Sequence, residues 1–295
     1  MLTGWPPTDR HVMPRCPKNP GGQPRRQKGS TPRMLRNLFS KAAPATEPNS
    51  GGSGLPESRT FTAGWLLNTD LTSIIWDSPR PVRIESQSSD PRSVGQCPSV
   101  LDFDRRHFVI NCPIDVHLRL KLTGGDMEVT NLLAEKSPIR SEALQKWIVF
   151  QPRHEWRNPQ RPVLQMLTSY VFVSDDPLYV NQLPPILHYW GDTRPGIQIS
   201  GRFPIDIWPR ALMWAFEWHD TTKDLILRRG EPLFYVRFEG PDPAAPTRLI
   251  EARKTPELES YISSITGVSE VVGQTYSLFK TARERRPAKL LFPKE

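Results

Sequence analysis

The chain has 295 residues, with 39 Lys and Arg against 31 Asp and Glu, for a formal net charge of +8. That length suits one principal domain with a substantial core. The charge sits at the ends: residues 1–59 hold ten basic against three acidic residues, residues 280–295 hold six against two, and 60–279 is net −3. That partition weakens a nucleic-acid reading, since a fold that tracks phosphates carries its Lys and Arg on a rigid face.

Residues 1–59 contain ten prolines and seven glycines and few large apolar side chains, too little to offset the entropy of ordering them. A disordered basic tail is expected there, able to bind polyanions weakly and without sequence preference. Within it only MLRNLF, from Met34, has helical apolar spacing. The composition of residues 1–33 suggests that translation starts at Met34; an intact mass that includes residue 1 excludes that start.

From Phe61 onward, short apolar stretches alternate with Pro, Gly, Asp and Ser, the pattern of an all-β chain. The predicted strands are Thr62–Leu67, Ile74–Trp76, Val82–Glu85, His107–Asn111, Ile114–Leu122, Met127–Leu132, Trp147–Phe150, Gln165–Val173, Leu178–Val180 and Gln198–Arg202. Gly201–Phe238 then reads as a β-meander, in which Leu212, Trp214, Phe216 and Trp218 alternate along one face, followed by strands Leu225–Leu227 and Leu233–Phe238. Residues 60–250 are expected to form an antiparallel β-sandwich or jelly-roll-like domain.

Residues 251–295 read as a helical appendage with a basic tail. Thr255 is placed to cap a helix whose first residue is Pro256 and whose end is Gly267. A second helix, Glu270–Arg286, sets Val272, Tyr276 and Phe279 on one side. Packing on the sandwich is the expected role; dimerisation through the helices is the alternative.

Cys16, Cys97 and Cys112 are too few and too scattered for a disulfide framework or a paired-cysteine zinc site. Cys97 and Cys112 flank Pro98–Asn111, and a hairpin turning near Asp104–Arg105 would set them opposite each other. Two buried free thiols are the favoured reading and a cross-strand disulfide the alternative. No apolar run has the length of a bilayer crossing and no secretory segment is evident near the start, so a cytoplasmic location is expected.

Phosphate-binding GxxxxGK, GxGxxG, HExxH and GxSxG signatures are absent. Two acid-x-His pairs remain, Asp115 with His117 and Glu217 with His219. Residues two apart on a strand point the same way, so each pair could offer a carboxylate and an imidazole to a transition metal, as jelly-roll oxygenases and isomerases do. Their alternating neighbours are apolar, which instead places them on a solvated strand face, and no cofactor is expected. A second set, His154 and Trp156 together with His188, Tyr189 and Trp190 in the loop after Pro184-Pro185, has the residue types of a binding surface; core packing is its plainer reading.

In order, HFVINCPIDVHLRL, VLQMLTSYVFVSDDPLYVNQLPPI, ISGRFPIDIW, WAFEW and LRRGEPLFYVRF resemble an uncharacterised domain family of bacteria and their phages, marine ones included. The likeness covers residues 95–240 and is most specific at Cys112-Pro113, Pro184-Pro185 and Gly230-Glu231-Pro232. It implies an all-β domain and carries over no catalytic residue. The expected function is that of a non-catalytic binding or accessory protein with a protein or small-molecule partner. A metal-dependent jelly-roll enzyme is the alternative and polyanion binding by the tail the second.

Overall fold

A central strand of eleven residues, VLQMLTSYVFV, is buried along nearly its whole length. A strand this apolar on both faces has to lie inside a sheet with layers on each side. The computed structural model describes residues 60–68, 74–82, 90–123, 126–133, 136–265 and 272–294. The basic tail, the Met34 start, Cys16 and Gly267 lie outside them.

The strands are β1 (Phe61–Leu67), β2 (Arg80–Pro81), β3 (His107–Asn111), β4 (Val116–Thr123), β5 (Asp126–Asn131), β6 (Ile148–Phe150) and β7 (Val163–Val173). They continue as β8 (Tyr179–Leu183), β9 (Gly196–Ile199), β10 (Gly201–Pro204), β11 (Ala211–Trp218), β12 (Leu225–Leu227), β13 (Pro232–Glu239) and β14 (Thr247–Glu251). The helices are α1 (Pro98–Arg105), α2 (Ser141–Trp147), α3 (Pro256–Ser264) and α4 (Val272–Arg285).

One sheet has the order β14-β1-β7-β11-β9, with β6 also on β7; a second runs β10-β8-β13-β3-β2; a third is β12-β4-β5. Apart from the parallel pair β1–β14, the pairings are antiparallel. The first two sheets meet face to face: Phe172 of β7 and Phe238 of β13 form an edge-on pair with centroids 5.5 Å apart. Buried Leu164, Met166, Trp214, Phe216, Phe234 and Val236 belong to the same core. The fold is mainly β and sandwich-like, as the strand pattern implies.

Three expectations are corrected. Gly201–Phe238 is no meander, because β11, β12 and β13 enter three different sheets. β11 is already flanked by β7 and β9, and β13 by β8 and β3, so neither has a free edge for β12. Predicted strand Gln198–Arg202 is two strands, β9 on β11 and β10 on β8, so the chain changes sheets at Ser200. Ile74–Trp76 forms no ladder; Trp76 is buried edge-on against Tyr170 and Trp147, with ring centroids 5.4 and 6.2 Å away.

Between Cys97 and Cys112 lie α1 and β3 rather than a hairpin, since Pro98 opens a helix at its first position. Both cysteines are free; Cys112 is buried as expected but Cys97 is exposed.

Helices α3 and α4 pack on the outer face of the six-stranded sheet, where Leu258, Tyr261, Ile265, Leu278 and Ala282 join Leu66, Val171 and Val173 in a second core. Thr255 caps α3 as predicted, its hydroxyl accepting from the Leu258 N–H at 3.2 Å. On α4 Leu278 and Ala282 are buried, while Tyr276, which the sequence sets on one side with Val272 and Phe279, is exposed. Asp175 accepts from the Leu290 N–H at 2.6 Å, and the Arg286 Nε donates to the Asp206 carbonyl at 2.6 Å, tying the tail to the sandwich.

Candidate functional site

Pro184 and Pro185 follow β8 directly, and two residues without an N–H end its ladder. The chain then turns twice: the His188 N–H donates to the Pro185 carbonyl at 3.0 Å, and the Arg194 N–H to the Trp190 carbonyl at 2.8 Å. These turns stack His188 on Trp190, with centroids 4.9 Å apart and planes 16° apart. Tyr189 points out, almost wholly exposed.

Beneath the loop is a cavity of about 260 Å³, lined by the loop, by Gly196, Ile197 and Gln198 of β9, Trp214 and Phe216 of β11, Leu233 of β13 and Arg194. It therefore lies between the two facing sheets, where β9 forms the edge of its own. Its wall is mostly apolar, and exposed Ile186, Leu187 and Ile197 stand among its lining and beside it.

Arg194 anchors the site. Its guanidinium carbon is 3.7 Å from the centre of the Trp190 ring, its Nη1 donates to the Pro232 carbonyl at 2.8 Å, and its Nη2 is 3.6 Å from the Glu231 carboxylate. Burial lowers the Arg194 pKa, and the nearby Cys112 and Glu231 oppose that fall. Burial, reinforced by the Arg194 charge, likewise lowers His188 below the ordinary histidine value. The Cys112 thiol, buried close by, is pushed up to about 12. Its N–H donates to the Glu231 carbonyl and its carbonyl accepts from the Gly230 N–H, both at 2.8 Å. The Cys-Pro strand, the Pro-Pro loop and the Gly-Glu-Pro turn thus converge around Arg194.

Thirteen buried side-chain polar atoms among the described residues lack a hydrogen-bond partner, and five belong to this one wall. They are Nε and Nη2 of Arg194, both amide atoms of Gln198 and the indole Nε1 of Trp214. Orphaned groups cost roughly 1–3 kcal/mol each, and these atoms are shut off from solvent even though their residues line the cavity.

The remaining predicted residues lie elsewhere. His154 is exposed on a single 3-10 turn, and Trp156 donates from Nε1 to the Gln151 carbonyl at 2.8 Å; neither lines the cavity. Asp115 accepts from the Arg229 N–H at 2.8 Å, while His117 pairs with Asp224 at 2.9 Å. Glu217 is buried rather than solvated, because the loop after β6 folds over it. Its Oε2 accepts from Arg157 Nε at 2.9 Å, its Oε1 pairs with His219 at 2.8 Å, and Arg161 lies 3.6 Å away. Burial pushes the Glu217 carboxyl up, but the hydrogen bonds from His219 and Arg157 outweigh it and hold the pKa below the usual range.

Each acid-x-His pair is thus engaged with its own partners. Among the described residues no group of three His, Cys, Asp or Glu side chains is arranged to hold a metal ion. No described helix is long and apolar enough to cross a membrane.

Of the cavity residues, His188, Tyr189 and Trp190 were legible from their types. Arg194, Gln198 and Trp214 were missed as site residues, because only the pairing of β9 with β11 brings the last two together. Comparison with protein families, curated proteins and solved structures finds no match to this chain.

Proposed function

We propose that this chain is a non-catalytic binding protein that holds a small molecule in the cavity beneath the Pro184–Gly191 loop. The observation that carries the reading is a concave, mostly apolar cavity lined by Trp190, Trp214, Phe216 and Leu233 together with Arg194. A concave apolar site with a few convergent polar groups is the form ligand sites take. The exposed apolar side chains around it give a guest further surface to cover.

A fragment library screened by ligand-observed NMR against the full chain tests this. Hits that compete with one another and are lost in Trp190→Ala support it, provided the variant stays folded by circular dichroism. A library without hits, or hits indifferent to Trp190→Ala and Gln198→Leu alike, would sink it.

A further inference from the structure

On the face of β11 opposite Trp214 and Phe216, Arg157 and Arg161 meet over Glu217. Both belong to the loop after β6, which is fixed at two points. The Arg161 N–H donates to the Asn158 carbonyl at 2.9 Å, and the Pro162 carbonyl accepts from the Trp218 N–H at 2.9 Å, pinning the loop to β11. The Glu217 side chain is only 4 % exposed, whereas those of Arg157 and Arg161 are 59 % and 43 % exposed. The carboxylate is the floor of the cluster, and the guanidinium groups stay within reach of a solute.

One arginine suffices to neutralise one carboxylate. Here two permanent cations share Glu217, and His219 adds a third hydrogen bond at 2.8 Å. Among the described residues neither arginine has a second acidic partner. Glu155 lies 3.8 Å from His154 instead, and Asp220 accepts from the N–H and hydroxyl of Thr222 in its own turn. A positive charge is left over.

The free donors set the shape of what can answer it. Arg157 spends its Nε on Glu217 at 2.9 Å, which leaves the edge formed by its two Nη groups. Arg161 approaches Glu217 through Nη1 at 3.6 Å, which leaves the edge of Nε and Nη2. Each edge is a fork for two oxygens. A carboxylate fills one fork; a phosphate monoester, with three terminal oxygens and a charge of roughly −1.5 to −2, can engage both. Both guanidinium groups touch the same carboxylate, so one anion can span them.

We infer that Arg157 and Arg161 form a phosphate site, held ready by Glu217 as a positioning residue, whose ligand is a phosphate monoester or free phosphate. The site is separate from the cavity and does not depend on its reading.

The test follows the Arg157 Nε–H and the His219 amide of the full chain by NMR, during titration with methyl phosphate, inorganic phosphate, methyl sulfate and acetate at one ionic strength. Methyl phosphate is expected to bind at least about tenfold more tightly than acetate, which forgoes the charge-assisted bonds of one fork. Methyl sulfate, with three oxygens but a single charge, is expected to fall between them. Tighter binding of methyl phosphate than of inorganic phosphate assigns the site to esters, and the reverse assigns it to the free ion. Arg161→Gln leaves the Arg157–Glu217 pair in place and is expected to weaken methyl phosphate at least about fivefold, and Arg161→Lys, which keeps the charge without the fork, is not expected to restore it.

Equal responses to phosphate and acetate would reduce the effect to ionic screening and overturn the inference. So would signals that move only outside this loop, which place the phosphate on other basic residues, or an affinity unchanged in Arg161→Gln. If that variant does not fold, the ratio of methyl phosphate to acetate at the Arg157 signal decides.

Discussion

Arg194 rests on the face of Trp190, its guanidinium carbon 3.7 Å from the ring centre, while the same side chain reaches the Pro232 carbonyl. One residue thereby joins the aromatic loop to the first residue of β13. Lysine keeps the charge but lacks both the planar face and the fork of donors. Arg194→Lys is expected to lower stability by about 1–3 kcal/mol, read as a shift of the urea midpoint at unchanged m-value. An unmoved midpoint would show that stack and hydrogen bond contribute nothing net.

His107 makes the fold sensitive to mild acid. It is buried, its Nδ1 lies 2.6 Å from the Phe103 carbonyl, and burial holds its pKa below the ordinary 6.5, reinforced by Arg237 and opposed by the Phe103 bond and Asp104. The unfolded chain binds more protons than the folded one below pH 6.5, so this contribution is complete above that value and is lost as pH falls toward the folded pKa. His188 shifts in the same direction. The melting temperature should fall between pH 7 and pH 5.5, and His107→Gln should flatten part of that slope. A slope identical in the variant would assign the effect to other groups.

Two glycines are expected to differ sharply on conversion to alanine. Gly230 has φ +83 with nothing within 4 Å of a new Cβ, so Gly230→Ala meets backbone strain alone, about 1–2 kcal/mol. At Gly196 a Cβ would fall 2.1 Å from the Glu217 carbonyl oxygen, and the backbone itself would have to move. Gly196→Ala should cost more than Gly230→Ala in a denaturation series and should also distort the cavity it lines. The reverse order would contradict the close approach of β9 to β11.

The two described thiols should react on different clocks. Cys97 is exposed, and backbone hydrogen bonds from Val100 and Ser99 lower its pKa, whereas burial pushes Cys112 up to about 12. In a Cys16→Ser background, an aromatic disulfide reagent should titrate one thiol at once and the second only at the rate of unfolding. Two fast thiols would mean that the Cys112 region opens freely.

Strands were legible where one face is buried and alternation survives, as at Leu212, Trp214, Phe216 and Trp218, all of which are buried. Alternation misplaced Glu217 because both faces of β11 are covered there, and an inward charge is tolerated once Arg157 and His219 meet it. Helix α1 was read as part of a hairpin, although Pro98 stands where a helix takes its first residue; it is only eight residues long, and its only buried residue is the polar Asp104. Helix α3 was legible through its cap, since Thr255 and Pro256 are local chemistry. The cavity lies between these cases: its aromatic loop is a local feature, but the register that sets Gln198 against Phe216 is a long-range one.

The parallel pairing of β1 with β14, from Phe61 against Thr247 to Trp65 against Glu251, imposes an order of events on the ribosome. A nascent chain that has emerged only as far as β13 can dock β1 on β7, yet one side of β1 stays bare until residues 247–251 arrive. A chain cut short in that interval carries an unpaired flank on β1 and an uncovered outer sheet face at Leu66, Val171 and Val173, surfaces through which two such chains can meet.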